Sequence, residues 1–147
     1  MEMEFEPLLA AGIHDITKTD LSNHFVTPFV NQEKRLKLIE RFGYLIEKVE
    51  EIGISFEVWV NGSFVTKKEE PNDIDVAFFY DPIAANSLPP DKQAIFVEVA
   101  NNSFSKYRYN CDVYFLPNNR ADVRSYWRGW FGFTREEKAK GFARLTI

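Results

Sequence analysis

The sequence predicts an α+β fold, on three observations: a long amphipathic helical stripe, three apolar runs rich in β-branched and aromatic residues, and no repeats or long linkers separating them. With 147 residues, 45% of them hydrophobic and including 14 Phe and 3 Trp, the chain has enough material to bury a core as one domain. Its expected parts are an N-terminal arm (1–30), a core (31–116) and an aromatic, basic C-terminal segment (117–147).

Each element has its own signal. Residues 1–30 are loosely patterned, with a short helix expected after Thr19-Asp20 and an extended stretch, HFVTPFV, interrupted by Pro28. From Asn31, the expected N-cap, Leu36, Ile39, Phe42, Ile46, Val49 and Ile52 recur at steps of three and four, and Gly53 is the stop signal. ISFEVWV (54–60) reads as a strand ended by Asn61-Gly62. DIDVAFFY (73–80) is apolar at nearly every non-carboxylate position, as a central strand covered on both faces would be. Pro89-Pro90-Asp91 starts a helix of about a dozen residues, with Ile95, Phe96 and Val99 inward and Asn101-Asn102 at its end. YNCDVYFL (109–116) is a third strand stopped by Pro117, residues 121–131 form a short aromatic helix, and FARLTI is a last strand.

Charge and cysteine content narrow the function. A net charge of −4 opposes a protein whose whole surface attracts nucleic acid, because phosphate binding relies on Lys and Arg. From Lys106 onward the balance turns basic, and a polyanion could meet a local surface there. Cys111 is the single cysteine, and the two histidines, His14 and His24, have no ligand-spaced partner, so disulfide and zinc chemistry drop out. The acidic start MEMEFEPLLAAG lacks the basic residues of a secretory signal, and no 18-residue apolar run occurs; a soluble, cytoplasmic protein without membrane attachment is expected.

The chemistry lies in three carboxylates. Asp73 and Asp75 alternate with Ile74 in an apolar strand, so both point to one face. Like charges that close together in a core cost several kcal/mol unless a cation, hydrogen bonds or water compensates. Asp112 repeats the anomaly in the third apolar strand, and if the strands are neighbours three hard oxygen ligands converge, a set suited to Mg²⁺ or Mn²⁺. Ahead of them VNGSF turns the chain at Gly62-Ser63, where glycine lets the backbone approach a phosphate closely and Ser63 adds a hydroxyl. Each residue also has a plainer use. Asp73 fits a turn, Asp112 fits the edge of a half-solvated sheet, and Asn-Gly is common in hairpins. Lys67 is a candidate nucleotide contact, although Lys67-Lys68-Glu69-Glu70 also reads as a solvated charge run. In the tail, Arg128, Arg135 or Lys140 offer charge to phosphates and Trp127 or Trp130 a face to a base, while the same aromatics suit a core or a partner surface.

A strand, Gly62-Ser63, nine residues (Phe64 to Asn72), Asp73-Ile74-Asp75 on a second strand and a lone Asp112 in a third together resemble the DNA polymerase β-like nucleotidyltransferase superfamily, in its minimal stand-alone type. The resemblance covers residues 54–116. It implies a mixed sheet backed by helices, the palm-like nucleotidyltransferase fold, and a two-metal site using Mg²⁺ or Mn²⁺ with a nucleoside triphosphate as substrate. Carried over by position, Gly62 and Ser63 hold the β- and γ-phosphates, Asp73 and Asp75 ligate both metals, and Asp112 ligates one and deprotonates the acceptor hydroxyl. The expected reaction moves an NMP group to a hydroxyl on a protein, an RNA or a small molecule. Minimal members often act as antitoxins that modify a toxin partner. The alternative is a non-catalytic module of the same fold that acts by contacting a protein partner, which the aromatic tail would suit.

Overall fold

Five strands make one mixed sheet in the order β1-β5-β2-β3-β4. They are β1 (Gly12–Asp15), β2 (Glu57–Asn61), β3 (Ile74–Tyr80), β4 (Cys111–Pro117) and β5 (Gly141–Thr146). The computed structural model describes residues 5–134 and 136–147. β1 runs parallel to β5, and β3 parallel to β4, while β2 is antiparallel to both β3 and β5. The helices are α1 (Leu21–Phe25), α2 (Glu33–Glu50), α3 (Pro82–Asn86), α4 (Pro90–Ala100), α5 (Asn102–Tyr109) and α6 (Ala121–Phe131). Parallel strands need a crossover between them, and α3, α4 and α5 supply the one from β3 to β4.

Alternation along β3 explains why its sequence is apolar almost throughout. Ile74, Val76 and Phe78 face a core built with α1, α2, α4 and α5, whereas Ala77 and Phe79 face a smaller cluster with Trp59, Phe131 and Phe142. Phe78 stacks on Phe115 of β4 at 4.6 Å, and Trp59 packs on Phe79 at 4.5 Å. Helix α6 covers the second face only in part, which leaves one end of the sheet open on that side. β4 is an edge strand.

The fold departs from the sequence reading in several places. HFVTPFV is not extended: His24 and Phe25 end α1, and the Ser22 carbonyl accepts the N–H groups of Val26 and Thr27, turning the chain. The N-terminal segment contributes strand β1 and the buried Ile16, Leu21, Phe25, Val26 and Phe29. At the start of α2 the inward stripe is Arg35, Leu38, Phe42, Leu45, Ile46 and Val49, and Leu36 is exposed. A buried arginine takes the first inward position because main-chain carbonyls satisfy it, which turns the start of the stripe by one residue. Asn31 does not cap α2; its side chain donates to Glu70, and Gln32 occupies the cap position. The strand 109–116 begins two residues later, at Cys111, because Tyr109 ends a helix, α5, that the sequence reading did not contain. No helix among the described residues is long and apolar enough to cross a membrane.

Candidate functional site

The site lies where β2, β3 and β4 end on the open part of the sheet face. Asn61 pairs with Asp75 in the antiparallel register, and Asp75 pairs with Asp112 in the parallel one, so three polar side chains stand abreast on adjacent strands. Asp73 precedes Ile74, the first residue of β3, and alternation brings it to the same face. Asp73, Asp75 and Asp112 each offer a carboxylate oxygen, and these oxygens lie within 4.8 Å of one another. All three residues are half-buried. β4 is the sheet edge, as the plainer reading of Asp112 expects, while Asp73 immediately precedes β3 rather than lying in a turn.

Electrostatics distinguish the three. Burial, then the charges of Asp73 and Asp112, push the Asp75 carboxyl up to about 7, well above the usual carboxylate range. Lys106 from α5 supplies an internal cation, its Nζ lying 2.5 Å from Asp73 Oδ2 and 2.9 Å from Asp112 Oδ2. Burial works against the Lys106 charge, but the two carboxylate hydrogen bonds outweigh it and hold the ammonium above the usual lysine range. One helical turn earlier, Asn102 accepts the N–H of Val113 at 2.8 Å and donates to Asp112 at 3.5 Å. α5 thus clamps the edge strand and orients its carboxylate.

Beside the carboxylates, Gly62 adopts φ 86° and ψ −166°, a region essentially reserved for glycine. A Cβ there would stand 2.8 Å from Asp75 Oδ2, so the backbone needs glycine both for its conformation and for its closeness to the carboxylate. No two-residue Asn-Gly hairpin forms here, since β3 begins only at Ile74. A 3₁₀ turn, Ser63–Val65, follows, and the Ser63 carbonyl accepts both the N–H and the hydroxyl of Thr66. The connection after it is held from beneath by Arg35. Its guanidinium is fully buried and donates to the carbonyls of Phe25, Phe64, Thr66 and Lys68 at 2.5–3.2 Å. It lies 3.7 Å from the Phe29 ring centroid, and burial lowers its pKa to about 10, leaving it charged at neutral pH.

A cleft of about 1530 Å³ opens over this surface. Its lining brings Asn61, Gly62, Ser63 and the three aspartates together with Phe5, Trp130, Phe133 and Lys140. The candidate Lys67 bonds to Glu6 at 2.8 Å and is not among the lining residues, whereas its neighbour Lys68 lines the cleft. The tail is less basic in space than in sequence, since Lys106 meets Asp73 and Asp112, Arg124 meets Glu57, Arg144 meets Asp15 and Arg120 meets Asp122. Trp127 packs on Tyr114 and Phe131, whereas Trp130 is exposed. Arg135 lies outside the described residues. His14 bonds to the Ala10 carbonyl and takes no part in the site.

Sequence reasoning missed Lys106 and Asn102 as site residues, and it missed Arg35 altogether. Arg35 did leave a trace, since it stands three and seven residues before Leu38 and Phe42 on the apolar stripe. Asn102 and Lys106 left only their i, i+4 spacing, because nothing local announced a second helix.

Residues 1–146 match the protein family DUF6932, described as a family of unknown function, and the chain belongs to that family. No curated protein and no solved structure matches it.

Proposed function

We propose that this DUF6932 chain is a metal-dependent nucleotidyltransferase of the polymerase β-like type, moving an NMP group from a nucleoside triphosphate to a hydroxyl acceptor on a protein or RNA: the acceptor oxygen bonds to the α-phosphorus, the α–β phosphoanhydride bond breaks, and pyrophosphate leaves. The observation that carries the reading is the convergence of Asp73, Asp75 and Asp112 beside a glycine-only turn in one open cleft. The donor set fits Mg²⁺ or Mn²⁺, being three hard carboxylate oxygens without sulfur or imidazole, with open space above them for water and phosphate. A divalent ion bound there would neutralise the carboxylates and polarise phosphate oxygens.

The remaining work falls to the chain. Gly62 brings the backbone close to the carboxylates, and Ser63 presents its hydroxyl and the start of the 3₁₀ turn to the β- and γ-phosphates. Arg35 keeps that turn from shifting. Asp112, on the edge strand and oriented by Asn102, accepts the proton of the acceptor hydroxyl. The cleft exceeds the usual volume of a small-ligand pocket, roughly 300–1000 Å³, so an acceptor has room beside the triphosphate. A toxin partner modified in this way is one acceptor consistent with the reading.

The Lys106 bridge favours a second reading, a non-catalytic module that contacts a protein partner and in which Lys106 is the permanent counter-ion of the triad. Calorimetry and thermal shift with Mg²⁺ and each NTP separate the two. Under the enzyme reading a triphosphate stabilises the wild type only with Mg²⁺, Asp73→Ala/Asp75→Ala abolishes the effect, and Lys106→Gln tightens Mn²⁺ binding by removing a competing cation. Under the module reading no triphosphate binds, and Lys106→Gln lowers stability without any gain in metal affinity.

A further inference from the structure

We infer that the exposed aromatic rings lining the carboxylate cleft form the nucleobase subsite, with Trp130 as its stacking platform; the inference rests on the nucleotide reading above and deepens it. Helix α6 sorts its aromatic residues by side. Phe131 is buried against Trp59 and Phe142, and Trp127 packs on Tyr114 at 4.6 Å. Trp130 is turned away from that cluster, with 64% of its surface exposed, and Phe133 just beyond the helix is 48% exposed. Among the described residues no aromatic ring packs on either. Both line the cleft that holds Gly62, Ser63 and the aspartates, as does Phe5, over whose ring the Lys68 ammonium sits at 5.7 Å.

Large rings left uncovered in a concave site keep apolar surface in water that a flat ligand would remove. A second observation points to a ligand in the same cleft, at its carboxylate end. Asn61 is 4% exposed, it stands in the cleft wall next to Gly62, and its Oδ1 has no hydrogen-bond partner. A buried acceptor in that state carries a cost that a donor on a ligand would recover. The occupant is set by what surrounds the rings. With the triphosphate anchored at Gly62-Ser63, the rest of the nucleotide extends into the same cleft, and its flat, polar, π-faced end is the base.

The test compares ATP with inorganic tripolyphosphate by calorimetry in Mg²⁺, on the wild type and Trp130→Ala. The expected result is that ATP binds the wild type about tenfold or more tighter than tripolyphosphate, as stacking on one ring implies. In Trp130→Ala that advantage disappears while tripolyphosphate affinity stays unchanged. ATP should also quench tryptophan fluorescence in the wild type, and Trp130→Phe should keep the affinity but lose the quenching. Equal affinities for the two ligands, or an ATP advantage that survives Trp130→Ala, overturns the subsite and leaves the phosphate site standing. Failure of both ATP and tripolyphosphate to bind overturns the nucleotide reading, and the subsite falls with it.

Discussion

Asp75 is packed between a glycine turn on one side and two carboxylates on the other, and its surroundings make its identity consequential. The Gly62 backbone comes so near that an added methyl group would meet the carboxylate at 2.8 Å. Gly62→Ala is therefore expected to cost about 1–3 kcal/mol through backbone strain and to displace Asp75. The fold should survive, with urea denaturation reading the loss and Mn²⁺ titration showing weakened binding. A variant that binds Mn²⁺ as the wild type does would show that the close approach has no role. At this scale the sequence was informative, because carboxylates inside apolar strands and an Asn-Gly-Ser turn are anomalies visible without a fold. Lys106 was not visible as a site residue, since a lysine in a polar segment has no local reason to face a carboxylate six residues on.

Among the elements, α2 and α5 organise the site from the opposite side of the sheet and from its edge. α2 does so through Arg35, whose buried charge is met by four main-chain carbonyls and, among the described residues, by no carboxylate. Replacing it with methionine keeps much of the volume but orphans those carbonyls, and a loss of about 3–5 kcal/mol is expected. Arg35→Lys should recover only part of this, because a single ammonium cannot span the same fan of acceptors. Urea unfolding of the two variants checks the order, and equal stability of Arg35→Met and wild type would refute the role. Periodicity found α2, α4 and α6 because each has an apolar stripe or a proline start. It passed over α5, whose segment NSFSKYRY is mostly polar and short, and whose inward residues are Ser105 and Tyr109. Ser105 is buried because its hydroxyl donates to the Val99 carbonyl, a tertiary contact between two helices.

For the whole molecule, the carboxylate cluster links stability to pH. Asp75 is raised from an ordinary 3.8 to about 7, so between these values the folded state binds more protons than the unfolded chain, and stability falls as pH rises. Its contribution is complete below about pH 4 and gone above about 7, with a slope of at most about 1.4 kcal/mol per pH unit. Asp15 and Asp122, paired with Arg144 and Arg120, are depressed and act in the opposite direction only at lower pH. In EDTA, urea midpoints should therefore drop from pH 5 to 7, and Asp75→Asn should flatten the profile. A flat profile in the wild type would mean that Asp75 is ionised throughout. The sequence alone determined the α+β class, most strand and helix positions, and the three carboxylates with their glycine turn, because these depend on local periodicity and on residues that break it. Only the tertiary structure decided that β1 joins the sheet edge, that Arg35 is buried under the turn, that Lys106 bridges Asp73 and Asp112, and that Trp130 lines the cleft. Those outcomes depend on which distant groups supply a partner, and a buried charge or an exposed ring becomes informative only once its neighbours are in place.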